Sequence, residues 1–342
     1  MALRLHEVAE IDEHTPLDLW GGLDGELGAL YLSTGARQGG SSKIFRHRKG
    51  SGDGTWQEDP IPGGAETMNK IRDDGVRVYA FFETGGPQFI ISRPIAEGGT
   101  WGGEPIDKGE DFVGGRGLGI WIPEQDVVIG GSDRWNATLG QGDGQLYRGN
   151  HDAGYALQRG IAPGILWEAE YAEDGALWEF WHKIEPDEDS VSQVFRAGAE
   201  LASPVDHVSC VADFLGQMYA CGDQSGEDAP RNVWRYNDGW EVVHVIEDSL
   251  YADHVCRIRR KAPKPPELWL TGFEPFRVAR SFNGTDWEYA TGLPEIPTGT
   301  DTNQLTAVGF FDKRVWVATR DADRNRIRVF VDELADLHVQ II

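Results

Sequence analysis

Sulfur is scarce in this sequence: of 342 residues, three are Cys and three are Met. Cys210, Cys221 and Cys256 contain no C-x-x-C spacing, which excludes a zinc ribbon or a disulfide framework and leaves buried thiols as their expected role. Lysine is also scarce, with 8 residues against 24 arginines, and acidic side chains outnumber basic ones 56 to 32. A formal charge of −24 lacks the basic footprint that binding to nucleic acid or an anionic membrane surface requires, so neither is expected as a partner. No stretch approaches the ~18 apolar residues of a membrane-spanning helix, so membrane insertion is not expected either. Residues 1–11 lack the basic start and continuous apolar run of a secretory signal, so the product is expected to be made in the cytoplasm.

Glycine is abundant at 44 residues, and so is tryptophan at 13. Many turns and aromatic-rich segments favour strands over helices. One short alternating pattern follows a turn signal seven times: ALYLST with Tyr31, RVYAFF with Tyr79, DVVIGG with Val128, ALWEFW with Trp178, QMYACG with Tyr219, ELWLTG with Trp269 and RVWVAT with Trp316. Successive markers lie 48, 49, 50, 41, 50 and 47 residues apart. A second marker follows in six copies, carrying Arg46, Arg93, Arg148, Arg196, Arg235 and Arg280. A third is a Gly/Asp turn running into Trp56, Trp101, Trp240 or Trp287. Strand, strand, turn and strand at this period describe a propeller blade.

The reading is therefore all-β, a seven-bladed β-propeller of four-stranded antiparallel blades, as one domain over residues 1–342. Blades are expected near 17–60, 65–106, 116–160, 165–202, 207–247, 254–294 and 303–342. Residues 1–16 supply the lead-in and a closing strand, expected to pair with the last blade because closure removes an exposed sheet edge. A two-residue turn at Leu215-Gly216 sets Cys210 opposite Cys221, which makes them cross-strand neighbours.

The segments Ser51-Gly-Asp53-Gly54-Thr-Trp56 and Ser281-Phe-Asn283-Gly284-Thr-Asp-Trp287 resemble the Asp-box hairpin of sialidase-like propellers. That device is structural: the Asp side chain bonds turn amides and the Trp packs between sheets. Sialidase chemistry would imply an arginine triad and a Phe/Tyr-Arg-Ile-Pro segment in the first blade. The latter is absent; the nearest string, Ser92-Arg93-Pro94-Ile95, has another order and another blade. The regular arginines are expected to pair or pack on their blades.

Polar steps recur where innermost strands begin, at Asp206-His207, Asp253-His254 and Asp301, so these groups are expected to converge near the axis as a ligand site or as strand caps holding channel water. Asp321, Asp323 and Asn325 have calcium-loop oxygen spacing, for Ca2+ or another divalent cation, but Arg326 stands where the loop needs Gly. A surface hairpin loop is the preferred reading there. Long b–c and d–a connections, 131–144 among them, are expected to gather on one face as a recognition surface. In them Asp133, Arg134 and Trp135 form a ligand-binding candidate, with Trp135 either a stacking platform for sugar or an anchor for its own loop.

An acidic, signal-less, lysine-poor propeller resembles the host-recognition or decoration modules of tailed viruses of haloarchaea. The resemblance implies a non-enzymatic virion protein in a halophilic system, binding a cell-surface glycan or S-layer glycoprotein and contacting other virion proteins or its own copies. The alternatives are a propeller glycoside hydrolase or lyase and an intracellular protein-interaction scaffold. No carboxylate pair with the spacing for glycoside hydrolysis can be chosen from the sequence.

Overall fold

The structure, a computed structural model, describes residues 3–13, 15–22, 24–35, 42–61, 68–82, 90–96, 98–104, 113–136, 141–161, 164–183, 191–204, 207–223, 232–246, 249, 251–259, 264–298 and 305–332. Short runs of alternating or wholly apolar residues between Gly and Asp turns form strands, and these assemble into seven antiparallel sheets of four. The fold is an all-β, seven-bladed propeller.

The innermost strands, one per blade, are Thr15–Trp20, Met68–Asp73, Val113–Trp121, Ile165–Tyr171, His207–Phe214, Tyr251–Ile258 and Thr306–Phe311. Each lies beside the next, and the seventh lies beside the first, so the sheets close into a ring. Leu5–Ile11 forms the outer strand of the last sheet, antiparallel to Arg326–Asp332, with Leu5 opposite Asp332 and Ile11 opposite Ile327. Ion pairs tie that seam, with Arg328 on Glu7 and Arg326 on Glu10 at 3.1 Å.

The sequence markers meet between blades. Tyr31 of blade one packs edge-on against Trp101 of blade two at 6.2 Å, and Trp178 of blade four against Trp240 of blade five at 6.1 Å. Trp316 of blade seven meets Trp56 of blade one at 5.9 Å. At the corresponding place Gly284 approaches Tyr219 so closely that a Cβ would lie 1.9 Å from the Tyr219 hydroxyl, and its φ of +79° also favours glycine. The arginine series pairs with carboxylates, for example Arg148 with Asp126 at 2.9 Å and Arg280 with Glu288 at 2.8 Å. Cys210 and Cys221 stand opposite one another in register, both buried in one core cluster as free thiols.

A register shift interrupts six of the innermost strands where they pair with their neighbour, for example between Pro16 and Asp18, Met68 and Lys70, and Leu166 and Glu168. Asp18, Lys70, Glu168 and His254 are the first paired residues after these bulges. All four are buried. Extra residues of this kind re-aim side chains.

One segment expected as a loop lies within hairpin strands, and a second is the hairpin loop expected. Asp133, Arg134 and Trp135 fall within Asp126–Asn136, which pairs with Gln141–Asn150, Asp133 opposite Asp143 and the register shifting between Asp133 and Asn136, so the backbone there is a bulged hairpin rather than an open loop. Asp321 and Arg326 close the hairpin between Arg314–Asp321 and Arg326–Asp332.

Candidate functional site

Innermost strands of a propeller surround its axis, and in this chain their later halves line a partly open cavity. It receives Asp18 and Trp20 from blade one, Arg72 and Asp73 from blade two, Glu170 from blade four, Asp213 from blade five, and His254 and Arg257 from blade six. Its volume is about 60 Å³, enough for about four water molecules, so it admits a polar group or attacking water rather than a whole sugar. Most of these residues come near the ends of their strands, where the chain turns from the innermost strand to the second. The cavity therefore lies toward the face of the short a–b turns, opposite the face of the long connections.

Two ion-paired systems build the walls, the first buried and the second partly exposed at Glu173 and Arg259. Arg72 Nη1 donates to Asp18 Oδ2 at 2.6 Å, with its guanidinium 4.5 Å from the centre of the Trp20 ring. Burial works against the Arg72 charge, yet the carboxylates of Asp18, Glu170 and Glu168 outweigh it and hold its pKa above the ordinary value. Trp20 Nε1 donates to Asp73 Oδ2 at 2.6 Å, and burial raises the Asp73 pKa despite that bond. Deeper among the strands, Lys70 is bonded to Glu168, both almost wholly inaccessible. In the second system Arg257 Nη1 lies 3.2 Å from Glu173 Oε1 and 3.3 Å from Asp213 Oδ2, and Arg259 Nη2 is 3.4 Å from the same Glu173 oxygen.

Asp213 is the unusual member. Its side chain has no exposed surface; Oδ2 accepts from the Glu173 amide and Arg257, and the buried Oδ1 has no partner. Burial pushes its pKa up to about 6; Arg257 opposes that push, and Glu173 and Glu170 add to it. A carboxyl group half-protonated near pH 6, with one buried oxygen left unpartnered beside a polar cavity, can deliver a proton.

Of the residues anticipated from sequence, His254 lines this cavity and its Nδ1 has no partner. Asp253 instead staples blades: its Oδ2 accepts from the amides of Leu305 and Thr306 at 2.9 and 2.8 Å and from the Thr306 hydroxyl at 2.6 Å. His207 pairs with Asp223 in the ladder, with its side chain outside the described residues. Asp206 and Asp301 lie outside the described residues, as do the side chains of Asp133, Arg134 and Trp135. Asp321 accepts from the Arg324 amide at 3.1 Å and from Arg328 at 3.4 Å, while Asp323 and Asn325 sit in the hairpin turn. Among the described residues no group of three or more His, Cys, Asp and Glu side chains is placed to hold a metal ion.

Asp18, Arg72, Asp73, Glu170, Asp213 and Arg257 were missed in the sequence reading. A signal for them exists: charged residues alternate inside strands that must be buried, as in MNKIRD and ILWEAEY.

Among the described residues no helix is long and apolar enough to cross a membrane. No protein-family model matches the chain, and no curated protein matches it in sequence. Solved structures do match. A family PL25 ulvan lyase, solved bound to -[GlcA(1-4)Rha3S]-, superposes with a TM-score of 0.53 at 12% identity, over 95% of each chain. The GH74 xyloglucanase from Xanthomonas campestris gives 0.52 at 16% identity over 94% of this chain, which spans only 43% of the xyloglucanase. The Hadza microbial sialidase Hz136 gives 0.50 at 11% identity, over 93% of this chain and 65% of the sialidase.

At these identities the likeness is one of fold. It overturns the expectation of a non-enzymatic virion protein, whether tail or capsid decoration or host-attachment module in a halophilic system. These three structures, which share the architecture over nearly the whole chain, are carbohydrate-active enzymes, and composition alone had carried the viral resemblance. What stands is a seven-bladed propeller whose fold neighbours act on saccharides.

Proposed function

We propose that the chain is a glycoside hydrolase in which Asp213 protonates the departing oxygen of a glycosidic bond and Glu170 takes a proton from the water that replaces it. One observation carries this reading: the buried Asp213 carboxyl, with a pKa of about 6 and an unpartnered Oδ1, in a cavity that Glu170 also lines. Glycoside hydrolysis uses two carboxyl groups whose environments separate their roles, one kept as an acid and the other ionised. The cavity size suits the attacking water, with the glycan lying across its mouth. The carbohydrate-active enzymes among the fold neighbours support the reading.

The test is release of reducing ends from a panel of polysaccharides, repeated with Asp213→Asn and Glu170→Gln. Each variant is expected to lower kcat by roughly two to four orders of magnitude. Activity is also expected to fall as pH rises above about 6, where Asp213 loses its proton. An unchanged rate in Asp213→Asn, or no cleavage of any glycan, rejects the proposal. A product with the ultraviolet absorbance of an unsaturated uronate replaces hydrolysis with elimination.

A further inference from the structure

We infer that the glycan accepted by this cavity carries no carboxylate or sulfate groups; this rests on the hydrolase reading above and names its substrate class. The first argument is that the cations of the site are already engaged. Arg72 is bonded to Asp18, Lys70 to Glu168, Arg257 to Glu173 and Asp213, and Arg259 to Glu173. A substrate carboxylate would have to displace a protein carboxylate from one of these pairs; displacing Asp18, Glu168 or Asp213 leaves that group buried and unpaired, which is strongly unfavourable, whereas Glu173 is half exposed.

The second argument concerns what else the lining presents. Asp18, Asp73 and Glu170 bring carboxyl oxygens to the cavity, and an ionised carboxyl only accepts hydrogen bonds. Sugar hydroxyls donate; an ionised acid cannot.

The third is charge. The lining holds the carboxyl groups of Asp18, Asp73, Glu170 and Asp213 against the guanidiniums of Arg72 and Arg257. Outside it, a chain of net charge −24 repels any polyanion that approaches. The site thus differs in kind from one that grips an acidic sugar with free arginines.

The experiment is calorimetric titration of the wild-type protein in dilute buffer with two sets of ligands. One is a panel of sulfur-linked gluco-, xylo-, galacto- and manno-oligosaccharides, which resist hydrolysis; the other is oligoglucuronates of matching length. At least one neutral oligosaccharide is expected to bind, with the oligoglucuronates weaker by about tenfold or more. That gap should narrow as salt screens the repulsion. Glu173→Gln, which removes a carboxylate partner from both Arg257 and Arg259, is expected to strengthen uronate binding several-fold relative to neutral binding. Uronate binding as tight as or tighter than neutral binding, or no binding by any neutral oligosaccharide, overturns the inference. Calorimetry reads binding alone, so a protein that binds neutral glycan and cleaves none sinks the hydrolase reading and leaves this one standing.

Discussion

Asp213 shows how one residue can serve chemistry at the expense of stability. Its folded pKa of about 6 lies above the ~3.9 of an unfolded Asp, so the folded state binds the proton more tightly. The protein therefore gains stability as pH falls from about 6 toward about 4, and above that window the ionised group costs up to about 3 kcal/mol. Replacing it with Asn should stabilise the fold at pH 7 by on the order of 1 to 2 kcal/mol, less than the full amount because Arg257 loses a partner. Thermal melts should show that gain at pH 7 and not at pH 4; an equal gain at both would mean Asp213 is not held protonated. Lys70 and Glu168 behave in the opposite way. Glu168→Ala strands a buried ammonium and should cost about 3 to 5 kcal/mol in urea unfolding, whereas replacing both by Leu should cost far less.

At the scale of elements, the packing between blades explains why the fold was legible in the sequence. A bulky side chain on the second strand of one blade must meet the turn of the next, so Tyr31, Trp178 and Trp316 recur at a fixed step together with Trp101, Trp240 and Trp56. Trp178→Ala is expected to cost about 3 to 5 kcal/mol by chemical denaturation, and Val242→Thr, on an exposed edge strand, less than about 0.5. Similar losses for both would show that the seams do not hold the ring. The site was less legible because its position depends on bulges. A one-residue slip exchanges the faces of a strand, so LDLW and NKIRD do not reveal which charges turn inward until the register around Leu17 and Asn69 is known. Asp253 and His254 illustrate the limit: neighbours in sequence, they divide between stapling a seam and lining the cavity. Trp135 went into a ladder for a related reason, since a Gly-rich stretch can extend a hairpin as readily as form a loop.

For the whole molecule, a net charge of −24 implies self-repulsion that salt relieves. Melting temperature should rise between dilute buffer and about 0.15 M salt, where the screening length falls to roughly 8 Å. The buried pairs at Lys70 and Arg257 should contribute little to that change. A flat or falling profile would show that surface repulsion is too weak to matter. The same charge misled the functional reading, because it reports on solubility and association rather than on chemistry. A propeller, in turn, does not name its reaction.

The seam between Leu5–Ile11 and Arg326–Asp332 has a consequence in time. A ribosome adds about 5 to 20 residues per second, so Leu5–Ile11 must wait roughly 15 to 60 s for the strand it pairs with. Throughout that interval Leu5 and Ile11, buried once the ring is shut, have no sheet to enter, and neither the first nor the last blade has its final neighbour. The nascent chain is a growing arc with two open edges, vulnerable to pairing with another copy of itself. Moving Leu5–Ile11 to follow Asp332 would make the last blade from contiguous strands and shorten the wait to seconds. Such a permutant should yield more soluble protein than the native order when both are synthesised without chaperones, and equal yields would show that the waiting strand is harmless.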